Sequence, residues 1–286
     1  RNFRRNAWLL LYLFGASPVV PNSFIGKRKN FLDTLNREDS FLEYATSLRM
    51  SQLGYMSEAQ DDLHIAYNSL EEYTDNLKLA LTKQHPPYQE IGIKDGDDFL
   101  QINDSIIQIE NEYYSSIRPK RVVGSGERPI NILKEKGIEY VEVRCMDNNP
   151  FLNSSIDKET AYFIEAFLMT SLMDEEKPCL NKEIKEIQNN WQSVVKEGRK
   201  PNLDLKIDGK STPLKDAANI FLEKMKRFAS SIPEDGKNLK ENILKSIKTQ
   251  EEKIINPDIT PSGRIMIEMA KNDWTWEEFN KVYFKK

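Results

Sequence analysis

The sequence predicts an α+β protein, with an antiparallel sheet carrying a polar site in residues 1–150 and a largely helical half in residues 151–286. Three observations lead there. Residues 137–145 (GIEYVEVRC) concentrate β-branched and aromatic side chains and read as a central strand. Residues 99–103 and 106–114 alternate polar and apolar positions on either side of Asn103-Asp104-Ser105, a turn-forming triplet, which predicts a hairpin or a pair of strands. Beyond Pro150, apolar residues recur at threes and fours in successive segments, the period of amphipathic helices.

Taken in order, residues 7–14 (AWLLLYLF) follow a basic stretch and precede Gly15-Ala16-Ser17, a pattern that also suits a leader peptide. The apolar run is too short for a bilayer, which takes about 20 residues, and a buried helix is expected. Residues 26–30 (GKRKN) read as a solvated connection. If the chain is extended from Thr46, then Arg49, Ser51, Leu53 and Tyr55 fall on one side, unless Gly54 breaks the alternation. A guanidinium matches the two oxygens of a carboxylate, and a tyrosine can pack on a small substrate while hydrogen-bonding it. The same pair equally suits a surface ion pair beside a core tyrosine.

Residues 57–83 have helical periodicity, from Leu63 through Tyr67, Leu70, Tyr73, Leu77 and Leu81, and His85-Pro86-Pro87 should stop the helix. His64 has no apparent ligand partner and reads as structural. In the expected hairpin, Gln108, Glu110, Glu112 and Tyr114 share one face, which is either solvated or a polar floor. The segment from Arg118 to Arg128 gathers positive charge around Gly124-Ser125-Gly126. Such a loop can approach phosphates, but it does not have the Walker pattern.

Within 137–145, Ile138, Tyr140, Glu142 and Arg144 share a face, so Glu142 and Arg144 are neighbours. A carboxylate beside a guanidinium suits a place where a divalent cation meets a phosphate, because hard cations take oxygen ligands and arginine forks onto phosphate oxygens. A cross-strand ion pair on a solvated face accounts for the same spacing. Helices are then expected over 157–173, 181–197, 213–232, 239–255, 262–270 and 276–285, with a short extended piece at 203–207 ending at Asp208-Gly209.

The 286 residues can bury a substantial core, as one large domain or two small ones. With 41 basic and 45 acidic residues the net charge is −4, which gives no field to gather nucleic acid or an anionic membrane. Two cysteines, Cys145 and Cys179, form neither a disulfide framework nor a metal motif, and agree with a reducing cytoplasm. Two histidines make a histidine-built zinc site improbable.

Several blocks occur in a telling order: YLFGASP at 12–18, YATSLR at 44–49, LGY at 53–55, LQIN at 100–103, QIENE at 108–112, IRPKR at 117–121 and IEYVEVRCMDNNP at 138–150, with NPD at 256–258 as a weaker echo. Together they resemble bacterial glutamate-cysteine ligase of the proteobacterial type, over about residues 6–201. The resemblance implies a glutamine-synthetase-like antiparallel sheet whose concave face holds ATP, metal ions and amino acids. Residues 1–150 would then be the sheet-bearing part of the catalytic domain, and 151–286 the helical part packed on it. The implied reaction joins the L-glutamate γ-carboxylate to the L-cysteine amine through a γ-glutamyl phosphate, the first step of glutathione synthesis, with ATP and Mg²⁺. Carried over residue by residue, Glu142 is expected as a metal ligand and Arg144 as the catalytic phosphate contact. Arg49 would anchor the glutamate carboxylate, and Tyr55 and Tyr114 would wall the cysteine site.

The family enzyme is longer, so this chain looks like a C-terminal portion, with further metal ligands expected upstream of Arg1 and little activity expected of the chain alone. The other readings are a carboxylate-amine ligase with a different amine and a non-catalytic anion- or RNA-binding module. The sequence leaves the oligomeric state open.

Overall fold

The computed structural model describes residues 1–27, 30–60, 63 and 65–284; His64, Arg28 and Lys29 lie outside the described residues. The helices, in chain order, are α1 (Asn2–Phe14), α2 (Asn22–Ile25), α3 (Leu70–Thr82), α4 (Pro86–Ile91), α5 (Pro129–Lys136), α6 (Lys158–Met173), α7 (Asn181–Glu197), α8 (Leu214–Ser230), α9 (Lys237–Ile255), α10 (Pro261–Asn272) and α11 (Trp276–Tyr283). The strands are β1 (Val19–Pro21), β2 (Asp33–Thr34), β3 (Asp39–Phe41), β4 (Lys94–Asp95), β5 (Asp98–Phe99), β6 (Ile117–Lys120), β7 (Tyr140–Val143), β8 (Asp204–Ile207) and β9 (Lys210–Pro213). All the strand pairs are antiparallel. The chain divides into two units: unit 1 holds Arg1, Tyr55–Arg144 and Lys177–Ile184, and unit 2 holds Asn2–Gly54, Cys145–Glu176 and Lys185–Lys286.

Unit 1 is built around α3 and α5. The Ser69 hydroxyl accepts from the Glu72 amide at 3.0 Å and so starts α3, satisfying one of the amides that a helix leaves without a partner at its first turn. Tyr73, Leu77 and Ala80 then recur on one face and pack with Ile130 and Leu133 of α5, and with Ile107 and Tyr113. The helix expected over 57–83 therefore begins later, at Leu70, after a 3₁₀ turn at Glu58–Gln60. His85-Pro86-Pro87 ends it as expected but also opens α4, because a proline in the first helical turn gives up an amide that has no intrahelical partner.

The hairpin expected over 99–114 does not form. β5 instead turns back onto β4 through Gly96 at φ +62°, and the chain at 110–112 makes a 3₁₀ turn. Side chains take over the backbone's partners here: Asn103 accepts from the Ser105 amide at 2.9 Å and donates to the Gln108 carbonyl at 3.1 Å. Gln101 donates to the carbonyls of Tyr88 and Gly92. The alternation at 106–114 is thus not a strand's, and Glu110 is buried rather than part of an open polar face.

In unit 2, the second half of α1, from Ala7 to Phe14, is apolar all round, and residues Leu9, Leu10, Leu11 and Leu13 are fully buried, as expected for a helical stretch packed on every side. It contacts α6, α9 and α10, with Phe3 edge-on to Phe167 and Phe14 edge-on to Phe163. Gly15 ends it where no side chain fits: a Cβ there would lie 2.7 Å from the Thr46 carbonyl oxygen. The helical periodicity beyond Pro150 is borne out in α6 to α11, and the extended piece at 203–207 is β8. β8 turns into β9 through Asp208 and Gly209, both at positive φ, the backbone that a tight hairpin demands. Among the described residues no helix is long and apolar enough to cross a membrane.

The segment from Thr46 is not extended. Leu48–Met50 is a 3₁₀ turn, and the chain folds back so tightly that a Cβ on Gly54 would come within 2.5 Å of the Arg49 carbonyl oxygen. Arg49 and Tyr55 therefore do not share a strand face.

Candidate functional site

β7 is the expected strand, and it pairs with β6 in the register Arg118↔Glu142 and Lys120↔Tyr140. The Arg144 amide donates to the Ser116 carbonyl at 2.9 Å, extending the ladder by one step. Directly opposed residues of an antiparallel pair lie on the same face, so Arg118, Lys120, Tyr140, Glu142 and Arg144 belong to one face of this ribbon. Arg118 is spent on internal oxygens, so Lys120 and Arg144 beside Glu142 are the charges this face presents. Burial lowers the Lys120 pKa, Arg118 and Arg144 lower it further, and Glu142 pulls the other way.

The expected site residues of unit 1 form a continuous chain of contacts. Tyr114 and Tyr55 meet edge to face with centroids 4.7 Å apart. The Arg144 guanidinium lies 5.2 Å over the Tyr55 ring, and its Nε is 4.0 Å from Glu142 Oε1. Tyr114 is fixed from behind: its amide donates to Gln60 Oε1 at 3.1 Å, and Gln60 Nε2 donates to the Glu112 carbonyl at 2.8 Å. The Glu142 carboxylate is 41% exposed and the Arg144 side chain 26%, so an ion pair at this distance leaves both groups reachable from solvent.

Arg118 and Lys120 were legible in the sequence only as loop charge. Their place on the site face comes from the pairing register, although the alternation of Ile117 and Pro119 with Arg118 and Lys120 was a usable signal. Arg118 is almost fully buried and donates to the Glu110 carbonyl at 3.1 Å. Glu110 in turn accepts from Arg128 Nε at 3.2 Å and from the Ile130 amide at 3.0 Å, so one buried carboxylate ties the charged loop to the start of α5. Within that loop the Gly124 amide already has an acceptor, Glu127 Oε2 at 2.7 Å.

Arg49 belongs to unit 2. Its Nε donates to Asp147 Oδ1 at 2.6 Å and its Nη2 to the Met146 carbonyl at 2.9 Å. Asp147, 4% exposed at the side chain, also accepts from the Ala16 amide at 2.7 Å and the Ser17 hydroxyl at 2.8 Å. Sequence reasoning passed over Asp147, which lies within the MDNNP block. Cys145, two residues earlier, is fully buried, and burial pushes its thiol up to about 12, which keeps it protonated and inert.

The scaffold is α+β, with a carboxylate and a guanidinium on the β6–β7 ribbon and two phenols in contact with them. Comparison with known proteins makes the assignment specific. The family model described as glutamate-cysteine ligase matches residues 1–194, and this chain belongs to that family. Relatives include the glutamate-cysteine ligases of Pseudomonas entomophila (strain L48), 44% identical over 281 residues, and Azotobacter vinelandii, 44% identical over 280; each match covers 98% of this chain and 52% of the relative. The chain thus spans about half the length of the curated relatives it matches.

Among solved structures, the glutamate-cysteine ligase of Francisella tularensis in complex with AMP superposes with a TM-score of 0.85 at 39% identity, covering 94% of this chain and 53% of that one. A bifunctional glutathione synthetase from Pasteurella multocida, 21% identical with a TM-score of 0.61, shares the fold. The likeness to the Francisella structure bears out the α+β scaffold of glutamine-synthetase-like type.

Proposed function

We propose that this chain carries part of the site at which ATP drives the joining of the L-glutamate γ-carboxylate to the L-cysteine amine, by way of a γ-glutamyl phosphate. The observation that carries the reading is the unbroken contact chain Tyr114, Tyr55, Arg144, Glu142, which ends on a ribbon that also bears Lys120. A carboxylate resists attack by an amine, and its phosphorylation turns a poor leaving oxygen into phosphate. Arg144 then stabilises charge on the transferring phosphoryl group, and the edge-to-face tyrosines hold the amine's owner in place. Within unit 2, Arg49, its guanidinium fixed by Asp147 and its side chain 38% exposed, is the group suited to a substrate carboxylate.

Magnesium is commonly held by one or two carboxylates together with substrate phosphates. Glu142 fits as one such ligand. Among the described residues no group of three histidine, cysteine or acidic side chains is placed to hold a metal, so Glu142 supplies a share of the coordination. Bound magnesium would neutralise the phosphates of ATP. The two buried cysteines, Cys145 and Cys179, suit a reducing, cytoplasmic setting.

The test is ADP release from Mg-ATP with glutamate and cysteine supplied singly and together. A protein of the relatives' full length should need both amino acids, and Glu142→Gln should lower its kcat/KM for Mg-ATP by about 100-fold without unfolding it. An unchanged magnesium dependence in that variant would remove Glu142 from the site. The present chain alone should release ADP no faster than background.

A further inference from the structure

Unit 2 contains a cavity of about 150 Å³ that uses none of the site residues discussed so far. Its polar lining comes from the start of α6 (Asp157, its cap, and Glu159), α9 (Thr249, Gln250, Lys253) and α10 (Arg264), with Leu152 and Ile259 as apolar wall. The two carboxylates each have one oxygen already engaged. Asp157 Oδ1 caps α6 by accepting from the Thr160 amide at 2.7 Å, and Glu159 Oε1 accepts from the Thr249 hydroxyl at 2.7 Å. The donors are less satisfied. Lys253 Nζ has the Leu13 carbonyl at 3.1 Å and otherwise faces the Phe14 ring at 4.7 Å. The Arg264 guanidinium lies 3.8 Å over the Phe151 ring, with no carboxylate at ion-pair distance among the described residues. Gln250 is 2% exposed, and its Oε1 has no hydrogen-bond partner among the described residues.

A buried amide oxygen without a donor is costly, and a dry apolar filling would not relieve it. Two cations and two carboxylates make the lining electrically neutral, so a bare anion or a bare metal ion would meet as much repulsion as attraction. A ligand that carries both charges meets each sign with its opposite. We propose that this cavity binds a small aliphatic α-amino acid as its zwitterion, its carboxylate on Arg264 and Lys253 and its ammonium on the carboxylates of α6. The volume admits only a compact ligand, well below the 300–1,000 Å³ of drug-sized sites.

The lysine supplies an independent signature. Burial pulls the Lys253 pKa down to about 8, against the pull of Asp157 and Glu159, with Arg264 lowering it too. The other groups facing this residue are the Phe14 ring, the Leu13 carbonyl and the Tyr12 hydroxyl, which donates to the Lys253 carbonyl at 2.9 Å. A ligand carboxylate beside Nζ favours the charged ammonium. Binding above about pH 8 must therefore take up a fraction of a proton, and binding near neutrality must not.

The experiment is calorimetric titration of this chain with L-alanine, with propionate and ethylammonium as probes that each lack one charge. L-alanine should bind at least about tenfold more tightly than either probe, and its binding heat should vary with buffer ionisation enthalpy at about pH 8.5 but not at about pH 7. Arg264→Gln, at an exposed position, should weaken L-alanine by about tenfold or more, while Arg144→Gln in unit 1 should leave it unchanged. No binding of L-alanine, equal binding of propionate, retained affinity in Arg264→Gln, or a heat independent of buffer at both pH values would each overturn the proposal.

Discussion

Asp147 shows how much one side chain can hold in place. Its carboxylate receives Arg49, the Ala16 amide and the Ser17 hydroxyl while 4% exposed, so it joins three separate stretches of chain. Removing its charge leaves the half-buried Arg49 guanidinium and the buried Ala16 amide poorly matched. Asp147→Asn should cost about 3 kcal/mol, measured as a shift in urea midpoint, and a loss under about 1 kcal/mol would show that the network is not buried in solution. Cys145 gives a second residue-level expectation. With no exposure and a thiol pushed up to about 12, it should stay unmodified by a thiol-specific disulfide reagent at neutral pH until the chain is unfolded. Rapid labelling of Cys145 in the folded protein would contradict its placement. Neither property could be read from the sequence, because both depend on what lies across the fold from residues 145–147.

At the level of elements, the helices beyond Pro150 were legible because each one writes its own period and cap into the sequence. Asp157 before α6, Thr260 before α10 and Thr275 with Glu278 at α11 are local signals that need no tertiary context. Residues 106–114 failed for the opposite reason: Ile107 and Ile109 alternate like a strand, yet Ile107 is fully buried in the unit 1 core and Ile109 is 44% exposed on a loop held by Asn103 and Gln101. The candidate site was half legible. Glu142 and Arg144 follow from strand alternation, whereas Arg118 and Lys120 join them only through a register that the sequence does not state. The cap of α6 also yields a pH dependence. Burial alone would raise the Asp157 pKa, but hydrogen bonds from Thr160 and the nearby Lys253 charge outweigh it, and the net shift is downward. A depressed carboxylate contributes stability that is present above its unfolded pKa, about 4, and is lost as pH falls through the lower folded value. Asp157→Ala should therefore cost about 1 kcal/mol at neutral pH and progressively less in acid, a convergence visible in urea melts at several pH values. A penalty unchanged at low pH would show that the carboxylate's charge contributes nothing to the cap.

For the whole molecule, the two units differ in the cores that sustain them. Unit 1 rests on a cluster centred on Ile65, Tyr73, Leu77, Ile107, Ile130 and Leu133, and it leaves Leu79, Phe99 and Ile102 more than half exposed. Unit 2 buries the apolar half of α1 on every side and packs the helix against α6, α9 and α10, with paired phenylalanines at α6. Local opening is governed by how much apolar surface a segment must release, so a chain built this way does not exchange its amides uniformly. The strands and helices of unit 1 should open at lower free energy than α1 and α6. Native-state hydrogen exchange should show the slowest amides in α1, α6 and α9, with those of α3, α5 and the β6–β7 ribbon exchanging at least about tenfold faster. The site proposed above fits that order, because binding sites are drawn from the less stable parts of a fold, and the proposed Arg144 and Glu142 face sits in unit 1. Equal protection across both units would mean that the β6–β7 ribbon is as rigid as the helical core, and that any adjustment at the proposed site must come from side chains alone.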